Sequence, residues 1–343
     1  MEPGLVVLRP DNLTPPARTP WGGRKIIHEY KPFLTQAGAV GESWEVSVEP
    51  SFPSRALSGD APLSALIAGD PVGWLGAEVA ARYGGQSPLL VKLLDAAAPL
   101  SVQVHPAEGD PALGPDESGK PEGWIVLEAS PSAGIFLGFR REVTRAQVER
   151  CLREGGPLDA LMNFVSVAPG DAFAIEAGTA HAIGAGVTLL EPQHITPGRC
   201  GVTYRFWDWD RRYDPHGQPD PAGQPRPLHV ARSLEVTRWD GLQGVDFVDS
   251  CRCAPEIVAR EGALERAVVM RTPWFWVERL RGQGAAALET QDRMVAATCV
   301  KGVLRMEGGA ALRAGYSGVI AARAGAFTAS VEGPGEVFLV RSA

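Results

Sequence analysis

Lysine is scarce in this 343-residue chain, which relies on arginine and keeps lysine only at Lys25, Lys31, Lys92, Lys120 and Lys301. Where arginine supplies most of the positive charge, a retained lysine points to a use for its compact ammonium. Cysteine is sparse as well. Cys151, Cys200, Cys251, Cys253 and Cys299 are odd in number and scattered, which argues against a disulfide framework and fits a reducing, cytoplasmic setting. Cys251-Arg252-Cys253 has half the form of a soft-metal site, but no second pair accompanies it, and it reads as structural. No apolar run approaches the roughly 18 to 20 residues of a membrane span, and Leu5-Val6-Val7-Leu8 is too short for a signal-peptide core. Positive charge is not in excess. A net charge of −7 argues against a general nucleic-acid or membrane-surface partner. Heptads, low-complexity tails and internal repeats are missing too.

What is present centres on Leu100-Ser101-Val102-Gln103-Val104-His105-Pro106. As a strand it sends Leu100, Val102 and Val104 to one face and Ser101, Gln103 and His105 to the other. Pro106 cannot donate to a ladder and ends the strand. An amide and an imidazole thus share one face of a rigid platform, as a metal site needs. Lys92 and Lys120 flank this stretch.

The length suggests two or three domains. Residues 1–20, rich in Pro and Thr, read as an extended lead-in. Residues 62–83 carry a helical pattern that Pro71 and Gly73 divide into two helices. Residues 89–94 read as a buried strand bearing Lys92. Thr144 is a good N-cap for a helix over 145–153, ended by Gly155-Gly156, and a second short helix is expected around 158–164. Strands follow at 172–175 and from His181, an aromatic strand at 201–210 and an amphipathic helix at 228–239. From about 245 short strands dominate, at the spacing of a second all-β unit.

Gln103, His105, Glu122 and His181 form a mixed nitrogen–oxygen set suited to a zinc-like divalent ion. Only Glu122 is anionic, so a bound dication would leave the site positive and attractive to anionic substrates. The words around these residues are distinctive: Trp21-Gly22-Gly23, Gly41-Glu42-Ser43-Trp44-Glu45, Lys120-Pro121-Glu122, Gly178-Thr179-Ala180-His181-Ala182-Ile183-Gly184-Ala185-Gly186, and Tyr204-Arg205-Phe206-Trp207-Asp208-Trp209-Asp210. In their order over residues 20–235 they resemble the type I mannose-6-phosphate isomerases in their short bacterial form, within the cupin superfamily.

The resemblance implies a mainly β chain. A cupin (jelly-roll) barrel would occupy residues 1–240, with helical segments at about 56–86 and 144–164, and a smaller, degenerate cupin-like domain would occupy 241–343. It also implies zinc, one ion per chain, held by Gln103, His105, Glu122 and His181. Lys92, Lys120 and Arg205 would contact a phosphosugar, with Arg205 and Lys120 catalytic. The implied reaction interconverts mannose 6-phosphate and fructose 6-phosphate through a cis-enediol(ate), whose negative charge a metal and fixed cations stabilise. Lys120 and metal-bound water both stay open as the base. A monomer or weak homodimer is expected, with no nucleic-acid or membrane partner. The segment 194–202 and the proline-rich stretch 214–227 depart from the family pattern near the expected pocket rim. They motivate one alternative, an isomerase or epimerase for another phosphosugar; a non-catalytic sugar-phosphate binder is a second, and an iron dioxygenase, since two His and a Glu could hold Fe(II), a third. For Trp207 and Trp209, stacking on a sugar competes with packing.

Overall fold

In a computed structural model that describes residues 4–36 and 38–343, strands gather into three principal sheets. Of the expected lead-in at 1–20, residues 1–3 lie outside the described residues. The architecture is mainly β, as expected.

Two of the sheets form the jelly roll that carries the site. In one, the strand Val187–His194 lies between Leu89–Ala96 and Glu122–Ala129. In the other, Val102–Val104 lies between Tyr204–Trp207 and His181–Ile183, with Gly134–Phe139 next. Trp124, Val126 and Leu189 from the first meet Ile135, Leu137 and Ile183 from the second in one core. Alternate residues of the first sheet, Val91, Ile125 and Leu190, face outward. There they pack under the inserted helices and against Phe275, Val277 and Phe338 of the C-terminal sheet. A sheet covered on both faces needs apolar residues on both, which is why 89–94 reads as continuous rather than alternating.

The third sheet holds the long strands Phe275–Glu289, Val295–Met306 and Ala326–Ser342. It also holds Leu5–Val7, which pairs antiparallel with Ser317–Ile320. In the other direction, Arg252–Cys253 pairs with the jelly-roll strand Ala172–Ile175. Chain therefore crosses residue 240 both ways.

Several expected elements change. The helical insertion has three helices, Leu63–Gly69, Pro71–Leu75 and Ala77–Arg82. Gly73 lies inside the second, its N–H bound by the Asp70 carboxylate at 3.0 Å. The second break is Gly76, whose φ of +86° suits glycine and whose Cβ would stand 1.8 Å from the Asp292 carbonyl oxygen. Thr144 does cap Arg145–Arg153, through a capping box with Gln147. The expected helix at 158–164 is only a 3₁₀ turn, Leu158–Leu161, because Met162–Ser166 pairs with Gly134–Phe139 as a strand. The aromatic strand shortens to Tyr204–Trp207, since Trp209 and Asp210 turn through positive φ. Strand structure does not start at 245 either: Gly244–Cys251 is a helix.

Candidate metal centre and its cleft

Strand register assembles the site. His181 pairs with Gln103 on one side of the Val102–Val104 strand, and Arg205 pairs with Gln103 on the other. In the facing sheet Glu122 lies opposite Gln193, and Lys92 opposite Glu191. The polar face of the 100–106 stretch is therefore enclosed, with His105 only 2 % exposed.

His105, Glu122 and His181 place one ligand atom each within 4.8 Å of one another. His105 Nδ1 donates to the Val202 carbonyl at 2.9 Å and His181 Nδ1 to the Thr179 carbonyl at 2.8 Å. Both Nε2 atoms therefore present lone pairs. Each stands 3.3 Å from a Glu122 oxygen, His105 from Oε2 and His181 from Oε1. Burial, reinforced by the Lys120 charge, pushes the His105 imidazole down to about 4. It is neutral at neutral pH and faces a carboxylate with acceptor against acceptor. Burial alone would raise Glu122, but Lys120 and the His105 contact outweigh it and hold the carboxyl well below its usual range. His105 Nε2 and Glu122 Oε1 are buried without hydrogen-bond partners. Orphaned acceptors converging in this way fit a divalent cation, and the two imidazoles with one carboxylate suit zinc.

Gln103 joins them, although its Nε2, at 3.3 Å, is the atom turned to His181 Nε2. Ligation through the amide oxygen, as expected from the sequence, needs a half-turn of that amide. Lys120 Nζ lies 3.4 Å from Glu122 Oε2. Lys92 sits 4.3 Å above the Trp44 ring and 3.6 Å from Glu42 Oε2. Arg205 donates through Nε to Ser101 Oγ at 3.1 Å and through Nη1 to the Pro227 carbonyl at 2.8 Å. Its Nη2 has no acceptor among the described residues. A cleft of about 450 Å³ is walled by Lys92, Gln103, Lys120 and Arg205. The sequence-derived residues thus meet in one place, with the two imidazoles and Glu122 set behind that wall.

Trp207 and Trp209 do not line the cleft. They pack against each other as a tilted pair with ring centres 4.5 Å apart, and Trp209 Nε1 donates to the Leu100 carbonyl at 2.7 Å, so packing prevails. Lysine scarcity also selects more than the site, since Lys31 is buried against Glu45 at 2.8 Å.

The sequence reading missed Glu191, which is 4 % exposed and lines the cleft. Its Oε1 accepts from Trp124 Nε1 at 3.1 Å and its Oε2 from Gln193 Nε2 at 2.8 Å. Gln193 Nε2 also donates to Glu122 Oε2 at 2.7 Å. Burial, aided by the Glu122 charge and only partly offset by Lys92, raises the Glu191 carboxyl to about 8. The available signal was a lone acid inside Leu189-Leu190-Glu191-Pro192, where a charge must be buried. Arg18, Glu42 and Arg226 were missed as well.

Comparison with known proteins bears on this arrangement. Residues 17–131 match the family described as phosphomannose isomerase type I, catalytic domain. That stretch carries Lys92, Gln103, His105, Lys120 and Glu122. A mannose-6-phosphate isomerase from Streptococcus mutans is 34 % identical over 198 residues, 57 % of this chain and 58 % of that protein. The aligned part therefore spans less than two-thirds of this relative. The solved mannose 6-phosphate isomerase from Bacillus subtilis superposes with a TM-score of 0.79 over 98 % of this chain and 99 % of that one, at 22 % identity. A mannose 6-phosphate isomerase bound with zinc and yttrium superposes at 0.71 over 98 % of this chain and 99 % of that one, with 18 % identity. The shared fold, a cupin, extends beyond residues 17–131 to nearly the whole chain.

Proposed function

We propose that the protein is a zinc-dependent mannose-6-phosphate isomerase, interconverting mannose 6-phosphate and fructose 6-phosphate. The observation that carries this reading is the convergence of His105, His181 and Glu122 ligand atoms, with His105 Nε2 and Glu122 Oε1 left without hydrogen-bond partners among the described residues, behind a cleft walled by cations. It is supported by the family match at 17–131 and by the names of the relatives.

His105, Glu122 and His181, with Gln103 after its amide turns, would hold one zinc ion per chain. Bound there, zinc supplies a Lewis acid for negative charge on the sugar oxygens. Lys120, engaged with Glu122, serves as a fixed cation. Arg205 presents Nη2 to the cleft and stabilises the enediolate oxygens without losing its own charge. Glu191 takes the proton from one of the first two sugar carbons and returns it to the other. The ionised form does the abstracting, and the Glu122 charge that, after burial, raises the Glu191 carboxyl would be offset by zinc on Glu122. Lys92, held by Glu42 and Trp44, contributes charge to the sugar-binding wall.

No described helix is long and apolar enough to cross a membrane, and the five cysteines are free. The free thiols suit a reducing compartment, and we take the enzyme to be cytoplasmic; as the resemblance implies, it would act on a small phosphosugar as a monomer or weak homodimer. The test is an assay of fructose 6-phosphate formed from mannose 6-phosphate, before chelation, after it, and after zinc is restored. Turnover should vanish and return. Turnover that survives confirmed metal loss would overturn the four-residue site.

A further inference from the structure

We propose that Arg18 and Arg226 form a clamp for a phosphate dianion in the cleft, built by the proline-rich segment 213–227. This rests on the phosphosugar reading above and names the residues that would take the charged end of the substrate.

The first observation is an excess of guanidinium charge. Arg18, Arg205 and Arg226 all line the cleft. Asp208 is the carboxylate beside Arg205 and Arg226, and it already accepts from Arg211 Nη2 at 2.6 Å. It also takes both arms of Arg226, Nε at 2.7 Å and Nη2 at 2.6 Å. Among the described residues, Arg18 and Arg205 have no carboxylate within ion-pair distance. Three guanidiniums, Arg205, Arg211 and Arg226, thus gather at one carboxylate, and Arg18 adds a further guanidinium to the cleft wall. The acids on the wall already have partners: Glu42 faces Lys92 and Trp44 and feels the Arg18 charge more weakly, Glu49 accepts from Ser51 and Cys200, and Glu191 accepts from Trp124 and Gln193.

The second observation is that the free N–H groups are held in place. Arg226 is fixed by its two bonds to Asp208, which leave Nη1 uncommitted. The Arg18 guanidinium makes no hydrogen bond among the described residues and rests 4.7 Å above the Phe52 ring. Segment 213–227 ties the two together. Tyr213 and Gln224 exchange both backbone hydrogen bonds at 2.9 Å, which closes the loop. The loop then abuts the stretch leading to Arg18, so closely that a Cβ on Gly217 would lie 2.4 Å from the Pro16 carbonyl oxygen. A tetrahedral dianion offers several acceptor oxygens and is matched by two planar forks. A neutral sugar end would leave this surplus charge unmatched.

The test uses the full chain carrying Arg226→Gln, Arg18→Gln or Arg226→Lys. Readouts are KM and kcat on mannose 6-phosphate, zinc per chain, melting temperature, and titration with inorganic phosphate. Each Gln variant should raise KM about 10- to 100-fold and weaken inorganic phosphate to a similar degree, as loss of a charge-assisted contact does. Zinc content should stay at the wild-type level and kcat should change far less than KM. Arg226→Lys, which keeps the charge but loses the fork, should fall between wild type and Arg226→Gln. Wild-type KM and wild-type phosphate affinity in both Gln variants would overturn the clamp. So would a kcat loss with KM unchanged. If the wild-type protein binds inorganic phosphate through these arginines yet turns over no mannose 6-phosphate, the reaction assignment fails while the clamp stands.

Discussion

Replacing Glu191 with Gln should make the chelated protein more stable as pH rises, while removing its activity. The Glu191 carboxyl is raised to about 8 in the fold, whereas an unfolded glutamate titrates near 4.3. Between those values the native state keeps a proton that the unfolded state has released. Wild-type stability therefore falls with rising pH across that window, by about 1.4 kcal/mol per pH unit. Below it both states are protonated and nothing is lost; above about 8 both are ionised and the loss levels off. At pH 7 the accumulated cost is about 3 kcal/mol, and glutamine, which does not titrate, escapes it. The amide introduces one N–H where Trp124 and Gln193 already donate, but that offset is the same at every pH. The measurement is urea unfolding of chelated wild type and Glu191→Gln at half-unit steps from pH 4.5 to 8.5. The difference in unfolding free energy should climb steadily through the middle of that range. A flat difference, or one that falls, would refute a carboxyl held protonated by its burial beside Glu122. With zinc restored, turnover should drop by about 10²- to 10⁴-fold, the range typical of a lost acid–base group.

Two further substitutions separate holding the metal from using it. His181→Ala removes a lone pair that Thr179 orients, so zinc per chain and activity should fall together. The loss of affinity should exceed the roughly 10- to 100-fold that removing a merely supporting partner costs. Full activity in the zinc-free variant would contradict the site. Arg205→Lys keeps a positive charge but cannot bridge Ser101 and Pro227 while still facing the cleft. Zinc should remain and kcat should fall by about 100-fold or more; wild-type kinetics would make Arg205 a packing residue.

Much of the centre was legible because it is written in local patterns. The period-two alternation of 100–106 puts Gln103 and His105 on one face within seven residues, although the paired strand is only Val102–Val104 and stops before His105 rather than at Pro106. Glu122 and His181 needed motif words, since a single acid or imidazole in a strand has no distinguishing period. Glu191 was hidden because its strand does not alternate: Val187, Leu189, Glu191 and Gln193 share one face, which turns from apolar to polar midway, so period-two reasoning finds no clean pattern. Arg226 and Arg18 lie some two hundred residues apart, and only the closure of 213–227 against Pro16 brings them to one cleft. The insertion was legible as helical but not in its breaks. Gly76 ends a helix because the Asp292 carbonyl leaves no room for a side chain, a constraint imposed from far along the chain. Likewise 162–166 is short enough to suit either state, and pairing with Gly134–Phe139 decides for strand.

The pairing of Leu5–Val7 with Ser317–Ile320 sets a timetable for folding as the chain is made. The first of these strands leaves the ribosome before any jelly-roll strand, yet its partner is more than three hundred residues away. At the usual 5–20 residues per second, that wait is on the order of tens of seconds. Throughout it the first strand has no partner, and once Leu190 has been made the outward apolar face of Val91, Ile125 and Leu190 also stands open to other chains. The jelly roll is complete in sequence well before its cover arrives. Overexpression yield should therefore depend on how quickly the last hundred residues follow.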